Sequence, residues 1–373
     1  MADGKSLVIY IITYVCTIIL GGIVYYIDQH GHFVRKICKK WFVLAGNIII
    51  ALPFALICGL RAFDVGYDTA NYIKDFSNMA TGAYEEHVGS FDYLYKAVFS
   101  VLAKLTNGNQ ICVLLVMALI TLIFVVYALE KISNSTIDFI LLLSMFFLYL
   151  SPIMLDQSRQ LIAVGVVMLA YTYLIAGYKK EFVLFIIIAT LFHETAIIFI
   201  GLIIFDNKYL NKRKLGILIG AAAILTYFVM PQILNLLFRF VPTRFEYITI
   251  MDGTGVNGKA WIVDMMPMFV SMVVYYLFKK NEEPKHNVVA ELTAWSAFPL
   301  RIASYYSFFI MRMSYYGEAI SIILVSYALK NVKGKRKLLI AGCLLTVYIF
   351  RWWYGFVILK LNDAIPYNFY WDV

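Results

Sequence analysis

Charged residues are scarce in this sequence, and no long polar segment is present that would form a soluble domain. Asp, Glu, Lys and Arg make up 15% of the 373 residues, whereas a soluble domain carries about 25%. Hydrophobic residues make up 62%, and many apolar runs approach the length of about 20 residues that a helix needs to cross a bilayer. The composition therefore predicts an all-α, polytopic integral membrane protein, with residues 1–373 forming a single transmembrane domain.

Cysteine pairs, a signal-peptide cleavage site and metal-binding motifs are also missing. The five cysteines are scattered and form no CxxC pair, so they are interpreted as small hydrophobic residues rather than a disulfide framework. The apolar N-terminal run has no small-residue cleavage site and is predicted to be a first span. The triplet "HET" does not extend to HExxH, because position 197 is Ile197, and no DxD pair is present. We therefore expect no metal site of the nucleotide-sugar type and no cofactor.

The net charge of +9 does not indicate a nucleic-acid partner, because the Lys and Arg residues form short clusters between apolar runs. Such clusters determine topology and contact anionic lipid headgroups. We expect the cytoplasmic side to hold five of them: residues 28–40, "GYKKE", "NKYLNKRK", "KKNEEPKH" and "KNVKGKRK".

The apolar runs predict ten full spans, with two further segments that are ambiguous. The predicted spans are residues 6–27, 41–60, 110–129, 136–153, 160–178, 214–238, 262–278, 290–311, 313–330 and 337–358. In the favoured arrangement, residues 91–105 lie along the outer surface, and residues 181–205 enter from the cytoplasm, turn near His193 and return. In a twelve-span alternative both segments cross, which places "GYKKE" outside. In the favoured arrangement the extracytoplasmic segments are about residues 61–109 and 239–260.

The first polar constellation follows the second predicted span, in "GLRAFDVGYDTANY". Arg61, Asp64 and Asp68 are spaced by three and four residues, which is one face of a helix. Arg61 is also interpretable as a snorkelling arginine at a span end, and the two aspartates as solvated loop residues that pair with it.

Further polar residues lie at other span ends. "LDQSRQ" places Gln157 and Arg159 at a helix N-terminus, which is favourable for phosphate. His193 lies inside an apolar stretch, where an ionisable group is costly and its presence favours a function, although a core histidine bonded to a carbonyl is the alternative. Arg312 lies between two apolar runs, and Arg244 lies in the predicted outer loop.

Several arginines and carboxylates are thus predicted at one membrane face. Bidentate arginines suit a pyrophosphate, and a carboxylate or histidine suits a hydroxyl nucleophile that needs a base. The combination favours a substrate with an anionic head.

Five short motifs occur in order along the chain: "RAFDVGYDTANY", "RQLIA", "LFHETA", "RMSYY" and "IPYNFY". In this ordered set the chain resembles the EpsG-type family of Wzy-like polysaccharide polymerases from bacterial capsule, exopolysaccharide and O-antigen clusters. The family also has an acidic residue before an aromatic-rich helix, for which Asp92, Glu85 and Glu86 are the candidates.

The resemblance implies a glycosyltransferase of the integral-membrane, lipid-phosphate-dependent (GT-C) type in the bacterial plasma membrane. Its substrate would be an oligosaccharide repeat unit on undecaprenyl pyrophosphate, joined at the outer face, with membrane lipids and a chain-length regulator as further partners. On this basis Arg61, Arg159 and Arg312 are expected to hold pyrophosphate. Asp68, or else Asp64 or His193, is expected to take the acceptor proton. The expected substrate-lining residues are Tyr72, Gln157, Arg244, Tyr315 and Tyr367.

Three rival functions remain open from the sequence. A flippase or transporter of the lipid-linked unit would be expected to show repeated halves with broken helices, and no internal repeat is recognisable. An O-antigen ligase usually carries a large outer domain, whereas the predicted 239–260 loop is short. A membrane acyltransferase would need a catalytic histidine, for which only His193 is a candidate.

Overall fold

The computed structural model describes residues 4–30, 39–83, 92–203, 221, 260–279, 287–303 and 308–372. The predicted span 214–238, the 239–260 loop, Arg244, Glu85 and Glu86 lie outside these residues. Within them the chain is α-helical, and its one extended pairing is the isolated bridge between Arg61 and Phe369. The predicted all-α class is confirmed.

The first ten helices cover the N-terminal half. They are α1 (Gly4–His30), α2 (Lys39–Gly59), α3 (Thr69–Thr81), α4 (Tyr93–Thr106), α5 (Gln110–Ile132), α6 (Thr136–Tyr149), α7 (Ser151–Met154), α8 (Ser158–Ile175), α9 (Lys179–Phe192) and α10 (Ile198–Leu202). The helices after the undescribed gap are α11 (Ala260–Phe278), α12 (Asn287–Ala303), α13 (Phe308–Lys330) and α14 (Gly334–Arg351). A π-helical turn, Trp352–Ile358, continues α14 and leads into the C-terminal residues.

Five helical segments among the described residues are long and apolar enough to cross a membrane. They are Gly4–His30, Trp41–Gly59, Gln110–Ile132, Ser158–Ile175 and Gly334–Ile358. Two shorter apolar helices, Thr136–Tyr149 and Ile262–Phe278, accompany them. These segments support the predicted polytopic membrane protein, while the total of ten or twelve spans stays a prediction.

The basic loops meet at one end of the helix bundle. The ammonium group of Lys131 lies 4.1 Å from the centre of the Tyr173 ring, which contacts Tyr178 of "GYKKE". Lys337 pairs with Asp138, one turn from the α5–α6 loop that contains Ser133. At the same end, Asn331 donates from its side chain to the carbonyl of Phe278 at 3.2 Å. We call this the basic end; "GYKKE" lies there, as the ten-span arrangement requires.

The chain reverses near His193. Helix α9 ends at Phe192, His193 is extended with φ −154° and ψ 116°, and a 3-10 turn leads into α10. The ring of Tyr171 contacts both Phe182, in the first turn of α9, and Phe199, in α10. The segment therefore turns back after His193, as expected for 181–205 up to Ile203, the last described residue before the gap.

Helix α4 is not among the segments long and apolar enough to cross a membrane. It packs against α3, α5 and α9, and its outward face carries exposed apolar side chains, among them Tyr93, Val101 and Leu105. That residues 91–105 lie along the outer surface of the membrane stays a prediction.

Helix α13 is central to the bundle and contacts α6, α8, α11 and α12. It approaches α12 closely because a Cβ at Gly317 would lie 2.5 Å from the carbonyl oxygen of Thr293. Arg312, Tyr315 and Tyr316 are in the first part of this helix, at the end of the bundle opposite the basic end.

Candidate active site

The loop between α2 and α3, residues 60–68, is paired with the C-terminal segment, which we define as residues 359–372. The backbone N–H of Ala62 donates to the carbonyl of Asn368 at 2.9 Å, and the N–H of Tyr370 donates to the carbonyl of Leu60 at 2.9 Å. The C-terminal segment thus lies directly against the loop that ends at Asp68.

Gly66 permits a close approach that no other residue would allow. Its φ is +89°, and a Cβ there would lie 1.8 Å from the carbonyl oxygen of Leu155. Its N–H donates to the carbonyl of Asp363 at 2.9 Å. The 60–68 loop is therefore clamped between the α7–α8 link and the C-terminal segment.

Arg61 is completely buried inside this loop. Its guanidinium donates to Thr69 Oγ1 at 3.1 Å, to the Cys58 carbonyl at 2.9 Å and to Ser158 Oγ at 3.2 Å. The three bonds tie α2, α3 and α8 together. The expected contact of Arg61 with pyrophosphate stays a prediction, and this environment favours a structural role.

Asp68 and Arg312 form an ion pair, with 3.0 Å between Asp68 Oδ2 and Arg312 Nη2. Asp68 is buried just before α3, and the Arg312 side chain remains 18% exposed. The backbone N–H of Asp68 donates to Asp156 Oδ1 at 3.1 Å.

Asp156 was not among the predicted site residues, although the motif "LDQSRQ" contains it. Besides the N–H of Asp68, it accepts bonds from Gln157 Nε2 and Asn362 Nδ2, each at 3.2 Å. Burial, and next the carboxylate of Asp68, raise the pKa of the Asp156 carboxyl above its usual range. The available signal was an acidic residue next to a predicted helix N-terminus in an apolar context.

Gln157 is buried beside Asp156, and its Oε1 has no hydrogen-bond donor among the described residues. The bond from its Nε2 to the Asp156 carboxylate fixes the orientation of the amide. A buried acceptor without a donor costs about 1–3 kcal/mol, which favours a donor from a bound ligand at this point.

Arg159 forms the second ion pair, with 3.2 Å between its Nη1 and Asp92 Oδ2. Its guanidinium also lies 5.3 Å from the centre of the Tyr95 ring, and its side chain is 29% exposed. Asp92 is buried and accepts the backbone N–H of Glu194 at 3.2 Å through Oδ1. Asp92, the one of the three acidic candidates that lies within the described residues, is thus next to an arginine of the site.

His193 is partly buried and directly precedes Glu194, whose backbone N–H bonds to Asp92. Its Nδ1 is 3.0 Å from Thr195 Oγ1, which is 2.9 Å from the Tyr316 hydroxyl. Nδ1 also accepts the backbone N–H of Thr195 at 3.5 Å, so the ring proton is assigned to Nε2.

The two arginines lie in the same region of the structure. Arg159 and Arg312 are both within electrostatic range of the Tyr72 hydroxyl and of the His193 imidazole. Gln160 also belongs to this region, because its Nε2 donates to the backbone carbonyl of Arg312. The structure thus brings together Asp68, Tyr72, Gln157, Arg159, His193 and Arg312 from the predicted set.

The remaining predicted residues have other surroundings. Asp64 is exposed and accepts the side-chain N–H of Asn368 at 2.8 Å. Tyr367 is buried, and its hydroxyl donates to the Ile57 carbonyl at 2.7 Å. Tyr315 is buried beneath the guanidinium of Arg301, which lies 5.2 Å from the ring centre.

A second cluster of charges, unforeseen from the sequence, lies on the far side of Tyr315. It consists of Asp264, Arg301, Glu318 and Arg351, all of them buried. Arg301 bonds to Glu318 Oε1 at 2.6 Å, and Asp264 lies between Arg301 at 3.5 Å and Arg351 at 3.0 Å. The cluster joins α11, α12, α13 and α14, and we call it the buried charge cluster.

No group of three or more His, Cys, Asp or Glu side chains arranged to hold a metal ion is found in the described part of the chain.

Comparison with models of known protein families identifies the family of this chain. The profile of the EpsG family matches residues 44–369, a range that contains both ion pairs, His193 and most of the C-terminal segment. No curated protein and no solved structure matches the chain.

Proposed function

Because the chain belongs to the EpsG family, the family of Wzy-like polysaccharide polymerases, we propose that it joins oligosaccharide repeat units carried on undecaprenyl pyrophosphate. The reaction is proposed to occur at the outer face of the bacterial plasma membrane and without a metal ion. A GT-C-like architecture and a chain-length regulator as partner belong to the same proposal.

The observation that carries the proposal is the pair of partly exposed arginines. Arg159 and Arg312 are each oriented by a buried carboxylate, Asp92 and Asp68 respectively. Two fixed guanidinium groups suit the planar, bidentate recognition of phosphate oxygens. In this role they stabilise the negative charge that develops on a pyrophosphate leaving group.

The proposed step is a direct displacement. The hydroxyl oxygen of the acceptor sugar forms a bond to the anomeric carbon of the growing chain, while the bond from that carbon to the lipid pyrophosphate breaks. The pyrophosphate keeps the electron pair, and the hydroxyl proton goes to a base. Displacement of this kind inverts the anomeric centre.

Asp68 is the proposed base, because its carboxylate lies inside the cluster and beside an arginine. Asp64 is exposed and bonded to Asn368. A proton on Nε2 makes His193 a hydrogen-bond donor, suited to a phosphate oxygen rather than to taking a proton. Gln157 Oε1, which has no donor among the described residues, is proposed to accept a hydrogen bond from a sugar hydroxyl.

The proposed orientation follows from the two ends of the bundle. Basic loops are retained in the cytoplasm, and Lys131, Lys337 and "GYKKE" lie at the basic end. The cluster around Asp68 lies at the other end, which supports a reaction at the outer face.

The experiment uses purified protein in proteoliposomes without an ion gradient. The probe is the pyrophosphate-linked repeat unit, extracted from cells that lack this protein and therefore accumulate it. EDTA is present throughout, and the products are separated by length. The variants Arg312→Ala and Asp68→Asn are compared with Arg336→Ala, which removes an arginine near the basic end.

Ladders of lengthened glycan from wild type and Arg336→Ala, lost in the other two variants while they remain folded, are expected. Movement of labelled lipid-linked unit between leaflets without lengthening would instead identify a flippase. In a parallel reaction that contains finished lipid-linked glycan and lipid A, transfer to lipid A would identify a ligase. Lengthening that occurs only after divalent metal is added in excess of EDTA would overturn the metal-independent mechanism.

A further inference from the structure

We propose that Asn362, in the C-terminal segment, and Asp156 are positioning residues that set the place of Asp68. The inference rests on the proposed function, since it concerns the base of that reaction. Neither residue was among the predicted site residues, and they lie 206 positions apart.

A continuous series of polar contacts supports this assignment. Asn362 Nδ2 donates to Asp156 Oδ2 at 3.2 Å, and Asp156 Oδ1 accepts the backbone N–H of Asp68 at 3.1 Å. Asp68 Oδ2 then lies 3.0 Å from Arg312 Nη2. The two oxygens of the Asp156 carboxylate therefore connect the C-terminal segment to the 60–68 loop, and the loop residue Asp68 meets the arginine proposed to hold phosphate.

The backbone of the segment is strained at this point. Lys360, Asn362 and Asp363 have φ values of 51°, 70° and 46°, all in the left-handed region, which costs a lysine about 1 kcal/mol or more and which Asn and Asp adopt more readily. Such strain persists only where surrounding contacts over-determine it. Those contacts are present, because the Asp363 carbonyl accepts from Gly66 and the Ala364 carbonyl accepts from the Tyr10 hydroxyl at 2.7 Å.

The side chain of Asn362 also acts on the ionisation of Asp156. Its N–H stabilises the ionised carboxylate, so its removal raises the pKa of Asp156 further. The charged and titratable groups that face Asp156 are Asp68, Arg312, Tyr72 and Tyr315. If the ionised form of Asp156 is the one that holds Asp68, the acid limb of the kcat profile moves to higher pH when Asn362 is changed.

The test compares Asn362→Gly with Lys360→Gly in the ladder assay. Both changes place a glycine at a position with positive φ, so the backbone effect is of the same type in the two variants. Only Asn362→Gly removes a contact with Asp156. The Lys360 side chain is exposed. For Asn362→Gly we expect kcat to fall about 10- to 100-fold, with KM nearly unchanged. The acid limb of the kcat profile is expected to move to higher pH by about one pH unit. Lys360→Gly is expected to behave as wild type.

A double-mutant cycle with Asp156→Asn then shows whether Asn362 acts through Asp156. If it does, adding Asn362→Gly to Asp156→Asn lowers kcat no further. Thermal unfolding in detergent measures the folded fraction of each variant. If the loss of kcat is fully explained by loss of folded protein, the inference is overturned.

Failure of this inference can be told apart from failure of the proposed function. A wild type that forms ladders, with Asn362→Gly matching it in kcat and pH profile, overturns the positioning role alone. Additive losses in the cycle also overturn the role, because Asn362 would then act independently of Asp156. A wild type that forms no ladder overturns both, since no glycosyl transfer would remain for the base to perform.

Discussion

Asp68 and Arg312 are 244 positions apart in the chain, and their side chains meet at 3.0 Å. Asp68 ends the loop after α2, whereas Arg312 lies in the first turns of α13. Their pairing brings a carboxylate and a partly exposed guanidinium to the end of the bundle away from the basic loops. Four predictions follow from this site and its supports.

Replacing either arginine of the site is expected to lower activity without unfolding the protein. Arg159→Ala and Arg312→Ala should each reduce the rate of glycan lengthening about 100- to 1,000-fold, because each removes a charge aimed at the leaving group. Arg312→Lys should recover only part of the rate, since an ammonium cannot make the bidentate contact. Single-turnover rates measure the effect.

Arg336→Ala is the matched control for the arginine variants, because Arg336 stacks on Phe278 near the basic end. Equal losses in Arg336→Ala and Arg312→Ala would show that loss of any arginine disturbs the protein, and the specific role of Arg312 would be abandoned.

Arg61→Ala is expected to affect stability more than substrate affinity. The change leaves the Cys58 carbonyl and the hydroxyls of Thr69 and Ser158 without a charged donor, and each such bond contributes about 1.5–3 kcal/mol. The apparent Tm in detergent should fall by several degrees, with KM of the folded fraction unchanged. If Arg61→Ala has the Tm of the wild type and a raised KM, the structural role is wrong and Arg61 belongs to the pyrophosphate site.

Gly66→Ala is expected to disrupt the site, and Gly177→Ala provides the control. Both glycines have φ +89°, but a Cβ at Gly66 would overlap the Leu155 carbonyl oxygen, whereas nothing lies within 4 Å at Gly177. Gly177→Ala should cost about 1 kcal/mol from backbone strain alone. Gly66→Ala should abolish lengthening and lower the Tm further. If the two variants match in Tm and rate, the clamp on the 60–68 loop is not required.

The buried charge cluster is expected to stabilise the packing of α13. Glu318→Ala leaves the guanidinium of Arg301 without its closest carboxylate and should lower the free energy of unfolding by about 3–5 kcal/mol. The double variant Arg301→Met with Glu318→Leu should lose less free energy of unfolding than the sum of the losses in Arg301→Met alone and Glu318→Leu alone. Apparent Tm values across this cycle provide the measurement, and strictly additive losses would mean that the two residues are not coupled.

The membrane class and most helices were predictable because they depend on local properties. The length of an apolar run decides whether a helix can cross a bilayer, and α1, α2, α5 and α8 match predicted runs to within a few residues at most ends. The turn at His193 was predictable from the position of "GYKKE". The ordered motifs indicated the family that residues 44–369 match.

Which polar residues share a site depended on tertiary packing. Arg61 and Arg312 are alike in sequence context, as single arginines at the ends of apolar runs, yet one is fully buried among neutral acceptors and the other faces Asp68. The contacts of Asp156 with Asp68 and Asn362, and the buried charge cluster, could not be foreseen, because the residues that meet there are distant in the chain. A local pattern determines whether a segment enters the membrane; only the packing of distant helices decides which charges are paired and buried and which remain open to a substrate.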